Sequence, residues 1–254
     1  MKWYFWLDSC PRPGWANMAI DQGLLDLAAE QQIGVLRVYR WAPSCLSFGR
    51  NEPAARRYDR AAIAARGLDV VRRPTGGRAV WHARELTYAV SAPADALGSL
   101  PEAYRAIHQC LAAAVTRLGA PAELASPSPV LPLNAGACFA RPVGGEVMVR
   151  GRKVVGSAQL RERGALLQHG SMLLEDSQEL VNALLSEPGE PGQEAPLSEL
   201  LGRTVSWSEA AAAVEAAASE WVPRWEQLPE PSRWLTAGAP HEERFQSDAW
   251  TWRR

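Results

Sequence analysis

The stretch RRPTGGRAVWHARELTY, residues 72–88, does most to decide the fold and points to a ligand site. One predicted strand enters a Pro-Thr-Gly-Gly turn and a second strand leaves it. Gly76 and Gly77 lack a Cβ, so backbone N–H groups there can approach a ligand closely. Three neighbouring arginines have the geometry to pair phosphate or carboxylate: Arg72, Arg73 and Arg78. The stretch is neither a P-loop nor a Rossmann fingerprint, which leaves an ordinary charged turn as the plain alternative.

Hydrophobic periodicity on both sides of this turn predicts alternating helices and strands. Helices are predicted at residues 15–30, 54–66 and 101–118, and strands at 35–41, 45–49, 70–73 and 86–91. Further along, EVMVR, KVVGSAQ and ALLQHGSMLL predict a meander of three adjacent strands. We therefore expect an α/β or α+β domain in which helices flank a mixed sheet.

The C-terminal fifth of the chain has a different composition. A Pro- and Gly-rich connection covers residues 186–198, and Ser206 with Glu209 forms a capping box for an Ala-rich helix ending near Trp221. We expect a catalytic domain at 1–205 and a helical tail at 206–254 packed on the same domain.

Length and composition exclude several classes of protein. A chain of 254 residues with 47% apolar side chains is long and apolar enough to bury a core, so disorder and disulfide-stapled miniproteins are excluded. No apolar stretch reaches the roughly 18 residues of a membrane span, and the N-terminus lacks a signal-peptide pattern. Four separated cysteines and four histidines show no zinc spacing. The sequence therefore predicts a cytoplasmic protein with reduced thiols and no metal.

Charge is distributed unevenly along the chain. Residues 50–84 hold nine arginines against Glu52, Asp59 and Asp69, an excess of six positive charges in a protein of net charge −1. Such a local basic field favours an anionic partner, although a solvated Arg-rich helix face explains it equally well. Nucleic acid is not expected, because basic residues are not interleaved with aromatic ones along a stripe.

Lys153 is a candidate reactive group because the chain contains 27 basic residues and only two are lysine. It lies among small and apolar residues in GRKVVGSAQ, where a compact ammonium can enter a narrow space. Cys138 follows a Pro-rich stretch in a predicted loop. An ammonium near this thiol would lower the thiol pKa from about 8.5 and raise its thiolate fraction. His108 and Cys110 are interpreted as helix residues without chemical importance.

Several motifs in one order resemble a known family. RRPTGGRAVWH, ELTYAV, CF, GRKVVGSAQ and LQHGSMLL resemble the lipoate and octanoate transfer family, whose fold is that of biotin and lipoate protein ligases. NMAID, WAPSCLSFG and the closing DAWTWRR are also similar, so the resemblance covers roughly residues 3–205 and the C-terminus. Ala83 departs from the pattern, because the family usually has an acidic residue at that position.

Within the family the chain looks most like the cysteine-dependent octanoyltransferases. The resemblance implies transfer of octanoyl from octanoyl-acyl carrier protein to a lysine of a lipoyl-domain protein: the glycine cleavage H protein, or a dehydrogenase E2 subunit. It implies Cys138 as nucleophile and Lys153 as essential lysine. It places substrate-binding residues at Arg73, Gly76, Gly77, Arg78, His82, Ser157, Ala158, Gln159, His169 and Gly170.

The chemistry of a thiolate is consistent with this implication. Exchange of one thioester for another costs little and amide formation is downhill, so neither ATP nor another cofactor is required. Seven CH2 and CH3 groups of a buried C8 chain would contribute about 5 kcal/mol of binding at ~0.8 kcal/mol each. Acyl carrier proteins and lipoyl domains are acidic, which gives the basic segment at 50–84 a suitable partner.

Three other functions remain open from the sequence. An ATP-dependent lipoate–protein ligase of the same fold would need a nucleotide site but no thiol. An amidotransferase would shift octanoyl or lipoyl between lipoyl-domain proteins through the same cysteine. A catalytically silent lipoyl-domain binding module would need neither Cys138 nor Lys153.

Overall fold

The structure is a computed structural model that describes residues 1–126, 144–187, 192–222, 224–226 and 231–253. Cys138 and most of the Pro-rich stretch lie outside the described residues.

Strands and helices alternate through the described part of the chain. The strands are β1 Lys2–Arg12, β2 Ile33–Trp41, β3 Cys45–Phe48, β4 Asp69–Arg72, β5 Val80–His82, β6 Glu85–Pro93, β7 Ala122–Leu124, β8 Val147–Val149, β9 Arg152–Lys153, β10 Val155–Glu162 and β11 Ala165–Leu173. The helices are α1 Gly14–Gln31, α2 Ala54–Arg57, α3 Arg60–Ala65, α4 Leu100–Arg117, α5 Glu179–Ala183, α6 Leu197–Leu201, α7 Trp207–Trp221, α8 Pro231–Gly238, α9 Glu242–Gln246 and α10 Asp248–Thr251.

A mixed five-stranded sheet in the order β1-β2-β6-β11-β10 forms the centre of the protein. Only β1 and β2 run parallel, and the other neighbours are antiparallel. Two three-stranded sheets accompany it, in the orders β4-β3-β5 and β7-β8-β9. This confirms the expected mixed sheet flanked by helices.

The two faces of the large sheet bury separate apolar clusters. Val38, Tyr88 and Val90 face α4 and α7 in one cluster, whereas Tyr39 and Ala89 face α1 in the other. Neighbouring side chains on a strand point to opposite faces, so each strand supplies both clusters. On α4, the apolar residues Ile107, Leu111 and Val115 are all buried.

Helix α1 confirms the predicted helix at 15–30, but it is buried on more than one side. Its polar residues Asp21 and Gln22 are both buried. Helix α8 packs against α1, and a Cβ on Gly23 would lie 2.1 Å from the carbonyl oxygen of Ala237. The C-terminal helices therefore cover a surface that would otherwise be solvated.

The single helix predicted at 54–66 is wrong, because the structure has α2 and α3 with a break between them. Tyr58 is extended and its hydroxyl donates to Oε1 of Glu52 at 2.7 Å. Asp59 then caps α3 by accepting from the amide of Ala62 at 2.9 Å. A side-chain acceptor at the N-cap competes with continuation of the preceding helix, which explains the break.

The predicted meander is also partly wrong. EVMVR contains β8, which pairs with β9 in a small sheet. After Val154 the chain enters β10, which pairs with β11 in the large sheet. The change of sheet occurs between Lys153 and Val155, so Lys153 lies at the junction of the two sheets.

Arg72, on β4, connects the C-terminal residues 250–253 to residues 49–52 by hydrogen bonds. Its side chain is fully buried and donates to six backbone carbonyls. The acceptors are Gly49 (2.6 Å), Glu52 (2.8 Å), Arg253 (2.9 Å), Trp250 (3.0 Å), Thr251 (3.0 Å) and Arg50 (3.3 Å). The guanidinium is thus used in structure, and the sequence expectation that Arg72 pairs a ligand anion is wrong.

None of the described helices combines the length and apolar character needed to cross a membrane.

Candidate active site

The loop at residues 73–79 is shaped from within by Arg73. One terminal nitrogen of its buried guanidinium donates to the carbonyl and the hydroxyl of Ser47, at 2.8 and 2.6 Å. The other donates to the carbonyls of Gly76 (3.2 Å) and Arg78 (2.7 Å). Two anchored ends give the guanidinium a fixed position, so it stabilises the turn and also lines the pocket below.

The two predicted glycines of this loop differ in what they require. Gly77 has a positive φ of 86°, a conformation that glycine adopts without steric cost. Its carbonyl oxygen would lie 1.8 Å from a Cβ placed on Gly49, so the loop packs directly on that residue. Gly76 has open space around its Cβ position and a φ outside the positive range. The pocket lining includes neither glycine.

A pocket that is partly open to solvent lies on the α1 face of the large sheet. One wall is formed by residues that lie side by side on four neighbouring strands of the sheet. Tyr39 pairs with Thr87, Thr87 with Ser171, and Ser171 with Gly156. Its apolar lining consists of Met18, Tyr39, Trp41 and Val80. Six predicted substrate-binding residues also line it: Arg73, His82, Ser157, Ala158, His169 and Gly170.

Gly170 allows the close strand approach that forms one wall. A Cβ there would lie 2.2 Å from the carbonyl oxygen of Gly156 and 2.6 Å from the hydroxyl of Ser157. Any larger residue would push β10 and β11 apart and deform the wall.

His82 is a fixed wall residue. Its Nε2 lies 2.6 Å from the hydroxyl of Ser47, and its Nδ1 lies 2.8 Å from Oε1 of Glu85. Its ring stacks on Trp41 with centroids 4.0 Å apart. Because both ring nitrogens contact protein groups, the ring of His82 is held in one position in the wall.

His169 is anchored on the opposite side of the pocket. Its Nε2 lies 2.6 Å from the hydroxyl of Thr75, and its Nδ1 lies 2.9 Å from Oδ2 of Asp21. Burial lowers the pKa of His169, an effect that the Asp21 carboxylate opposes. Asp21 also accepts from Arg37 and from the hydroxyl of Tyr39, each at 2.8 Å. One carboxylate on α1 thus orients two residues that line the pocket, Tyr39 and His169.

The remaining predicted residues lie outside the pocket lining. Gln159 donates to the carbonyl of Leu100 at 3.2 Å and to Oε1 of Gln168 at 2.8 Å. Arg78 supplies a loop carbonyl to Arg73. Cys138 lies outside the described residues. Among the residues that are described, no group of three His, Cys, Asp or Glu side chains is arranged to hold a metal ion.

Lys153 is buried at the junction of the two sheets. Its Nζ lies 2.5 Å from Oε1 of Glu146, which is also buried. Two residues separate it from Gly156, the first pocket-lining residue of β10. The predicted lysine therefore lies close along the chain to the pocket wall.

His108 bonds to the pocket-lining residue Ser157 from the α4 side of the sheet. A relay of hydrogen bonds crosses the α4 face of the sheet: Gln168 donates to Tyr88 at 2.9 Å, and the Tyr88 hydroxyl lies 2.6 Å from that of Ser157. Ser157 Oγ lies 2.7 Å from Nε2 of His108, and Nδ1 of His108 lies 2.6 Å from the carbonyl oxygen of Gly145. A carbonyl can only accept, so Nδ1 carries the proton and Nε2 accepts from Ser157.

This arrangement gives a testable pH dependence of stability. Burial lowers the pKa of His108 from 6.5 to about 4, and the positive charge of Lys153 acts in the same direction. Between pH 6.5 and pH 4, His108 is protonated in the unfolded chain but neutral in the folded protein. The free energy of unfolding therefore falls as the pH falls from 6.5 to 4. We expect the protonation of His108 to lower the free energy of unfolding by about 3 kcal/mol over this pH range.

Urea unfolding of the wild type and His108→Gln at pH 7 and pH 4.5 measures the contribution. Between pH 7 and pH 4.5, the free energy of unfolding of the wild type should fall by about 2 kcal/mol more than that of the variant. Equal losses in both proteins would show that His108 is not buried in its neutral form.

Comparison with known proteins identifies the family. A sequence model of the lipoyl protein ligase A/B catalytic domain matches residues 13–219. Octanoyltransferase LipM of Kyrpidia tusciae is 41% identical over 184 residues, covering 68% of this chain and 67% of that protein. Octanoyltransferase LipM of an Exiguobacterium species is 35% identical, covering 94% of both.

Solved structures agree on the fold. Lipoate-protein ligase A bound with ATP matches with a TM-score of 0.80 at 22% identity, covering 99% of both chains. A bipartite lipoate protein ligase from Thermoplasma acidophilum matches with a TM-score of 0.77 at 20% identity, covering 99% of this chain and 96% of that one. The extent of these matches and the glycine loop beside the pocket lead to one conclusion: the chain belongs to the lipoyl protein ligase A/B catalytic domain family.

Proposed function

We propose that the protein transfers an octanoyl group from octanoyl-acyl carrier protein to a lysine of a lipoyl-domain protein, through a thioester on Cys138. The observation that carries this proposal is the identity of 35–41% with relatives named octanoyltransferase, extending over as much as 94% of the chain. The proposed acceptor is the glycine cleavage H protein or a dehydrogenase E2 subunit, and the proposed location is the cytoplasm.

The pocket suits an unbranched acyl chain. Met18, Trp41 and Val80 offer apolar surface, while His82 and His169 are held by hydrogen bonds to other protein groups. At ~0.8 kcal/mol per buried CH2, seven carbons contribute about 5 kcal/mol of binding. Since the polar wall groups are engaged with one another, a chain without polar atoms can fill the space without leaving those groups unpartnered.

In the first step, the thiolate of Cys138 attacks the carbonyl carbon of the donor thioester. A new C–S bond forms, the donor C–S bond breaks, and the departing thiolate takes a proton from the ammonium of Lys153. The same ammonium can donate a hydrogen bond to the developing oxyanion, an effect that commonly lowers a barrier by about 3 kcal/mol.

In the second step, the acceptor amine attacks the acyl-cysteine. A C–N bond forms, the C–S bond breaks, and the proton lost by the amine nitrogen returns to Lys153. Cys138 leaves as a thiolate and is ready for the next donor. All protons are accounted for without nucleotide, because a thioester is already activated.

An acyl-transfer assay without nucleotide tests the proposal. With octanoyl-acyl carrier protein as donor and a lipoyl-domain protein as acceptor, we expect octanoylation of the acceptor at the same rate with and without ATP and Mg²⁺. Octanoylation that occurs only from free octanoate plus ATP would replace the proposal with a ligase mechanism. Transfer from an octanoylated lipoyl domain, but not from the carrier protein, would indicate an amidotransferase.

A further inference from the structure

Four arginines from three separate segments of the chain lie together where β10 ends. Glu162, the last residue of β10, accepts a hydrogen bond from Arg50 at 2.9 Å, and its other carboxylate oxygen lies 3.8 Å from Nε of Arg163. The side chain of Arg253 donates to the carbonyl of Arg50 at 2.8 Å. Arg244 is the fourth member, and we call these four residues the arginine cluster.

Trp250 holds the C-terminal part of the arginine cluster in place. The centre of its ring lies 3.7 Å from the guanidinium carbon of Arg244 and 3.6 Å from that of Arg253. Its indole N–H donates to the carbonyl of Arg72 at 2.9 Å, which connects the ring to β4. Burial lowers the pKa of Arg244, and the nearby positive charges of Arg50 and Arg253 lower it further. The packing thus holds like charges close together although they repel one another.

The described ion pairs supply one carboxylate to three of these arginines. Arg50 and Arg163 share the carboxylate of Glu162, and no described residue forms an ion pair with Arg244. The side chain of Arg163 is 74% exposed and that of Arg50 is 34% exposed. A group of like charges held at the surface produces a local positive field, which attracts an anionic partner.

Two connections join the arginine cluster to the pocket. The amide of Arg50 donates to the carbonyl of Thr75 at 2.7 Å, and the hydroxyl of Thr75 lies 2.6 Å from Nε2 of His169 in the pocket lining. On β10, the pocket-lining Ala158 and Glu162 share one face, because alternate residues of a strand point the same way. At about 3.3 Å per residue, Glu162 lies about 13 Å along the strand from Ala158. The cluster is therefore beside the pocket but not in it.

We infer that the arginine cluster is the docking surface for the donor, octanoyl-acyl carrier protein. This inference rests on the proposed function, in which that carrier supplies the octanoyl group. Acyl carrier proteins are acidic, and they present the acyl group at the end of a long phosphopantetheine arm. The body of the carrier therefore docks at a distance from the pocket, which is where the cluster lies. An acceptor lysine has a much shorter side chain, so a lipoyl domain must dock closer to the pocket than the cluster does.

The basic segment at 50–84 contributes only Arg50 to this surface. Arg72 and Arg73 donate to backbone carbonyls inside the protein. Arg84 pairs with Asp176 at 2.5 Å. Docking of an acidic partner at the arginine cluster would therefore depend mainly on arginines that lie far from this segment in sequence.

Charge reversal at Arg163 tests the docking surface. The dissociation constant for the holo form of the acyl carrier protein, which carries no octanoyl group, measures docking without acyl transfer. Arg163→Glu should raise this constant about tenfold at low salt, mainly through slower association. The difference should shrink as the ionic strength rises from about 0.01 M to about 1 M, because the Debye length falls from about 30 Å to about 3 Å. Arg244→Gln should weaken binding in the same direction.

Two controls separate the position of the charge from the total charge and from the shape of the side chain. Arg105→Glu makes the same change in net charge at an exposed residue of α4, on the opposite face of the large sheet, and should leave the dissociation constant unchanged. Arg163→Lys keeps the positive charge and should bind the carrier as the wild type does.

Steady-state kinetics then distinguish the donor from the acceptor. In Arg163→Glu, KM for octanoyl-acyl carrier protein should rise about tenfold at low salt, in line with the weaker docking. The value of kcat and KM for the lipoyl-domain acceptor should stay within about twofold of the wild type, because surface substitutions away from a site have small effects.

The outcomes separate this inference from the proposed function. Wild-type affinity for the carrier in Arg163→Glu, beside normal transfer from octanoyl-acyl carrier protein, would overturn the inference and leave the proposed function standing. An equal loss of affinity in Arg105→Glu, or a loss for the lipoyl domain in place of the carrier, would also overturn it. A wild type that uses no octanoyl-acyl carrier protein would overturn the proposed function. If Arg244→Gln does not fold, the exposed Arg163 decides the result alone.

Discussion

Replacing Cys138 with alanine is expected to lower the rate of octanoyl transfer at least about 1,000-fold, because neither step of the proposed mechanism can proceed without the covalent nucleophile. Binding of the donor should change little, since the described residues that line the pocket are all retained. The measurement is kcat and KM for octanoyl-acyl carrier protein with a lipoyl-domain acceptor.

The matched control is Cys10→Ala. Cys10 is an exposed free cysteine on β1, so its loss should leave kcat within about twofold of the wild type. A Cys138→Ala protein that retains normal transfer would show that no thioester on this residue is needed, and would favour direct transfer between donor and acceptor.

The second large effect concerns stability. Arg72→Met is expected to lower the free energy of unfolding by about 4 kcal/mol, because the six backbone carbonyls around the guanidinium lose their donor. Three of those carbonyls belong to the C-terminal residues 250–253. The tail should therefore loosen first, and limited proteolysis should remove it before the rest of the domain unfolds.

Urea unfolding with Arg66→Met as control tests this expectation. Arg66 is exposed, and the hydrogen bond described for its side chain is a donation to the carbonyl of Ala62 at 3.1 Å. Its substitution should cost less than about 0.5 kcal/mol. A change for Arg72→Met as small as that of the control would show that the carbonyl network contributes little to the stability of the tail.

Local sequence patterns predicted most of the large elements. Helix α4 was predicted from apolar positions three to four residues apart, and its start matches a capping box at Ser99 and Glu102 with Pro101 in the first turn. Strands β2, β3, β4 and β6 were predicted from short alternating or apolar runs. These signals involve neighbours along the chain, which is why they can be interpreted without the fold.

The burial of Asp21 and His108 could not be predicted in the same way. Asp21 bonds to Arg37 and to His169, and His108 bonds to Ser157. These partners are 16, 148 and 49 residues away in sequence. A polar residue in a helix is usually solvated, so only the three-dimensional structure shows that both residues are buried and bond to residues that line the pocket.

The arginines of the basic segment illustrate the same limit. Arg72 and Arg73 are adjacent and chemically identical, yet Arg72 binds the C-terminal tail while Arg73 lines the pocket. Arg84 pairs with Asp176 at 2.5 Å, and Arg60 pairs with Asp248 at 2.6 Å. The sequence shows an excess of charge, but carboxylates from distant segments offset part of it in the folded protein.

The most direct test of the central claim is the intact mass of the protein after incubation with octanoyl-acyl carrier protein alone. We expect that the wild type gains one octanoyl group, that neutral hydroxylamine removes it as expected for a thioester, and that Cys138→Ala gains nothing. An unchanged wild-type mass under conditions where transfer to the acceptor proceeds, or an equal gain in Cys138→Ala, would contradict it.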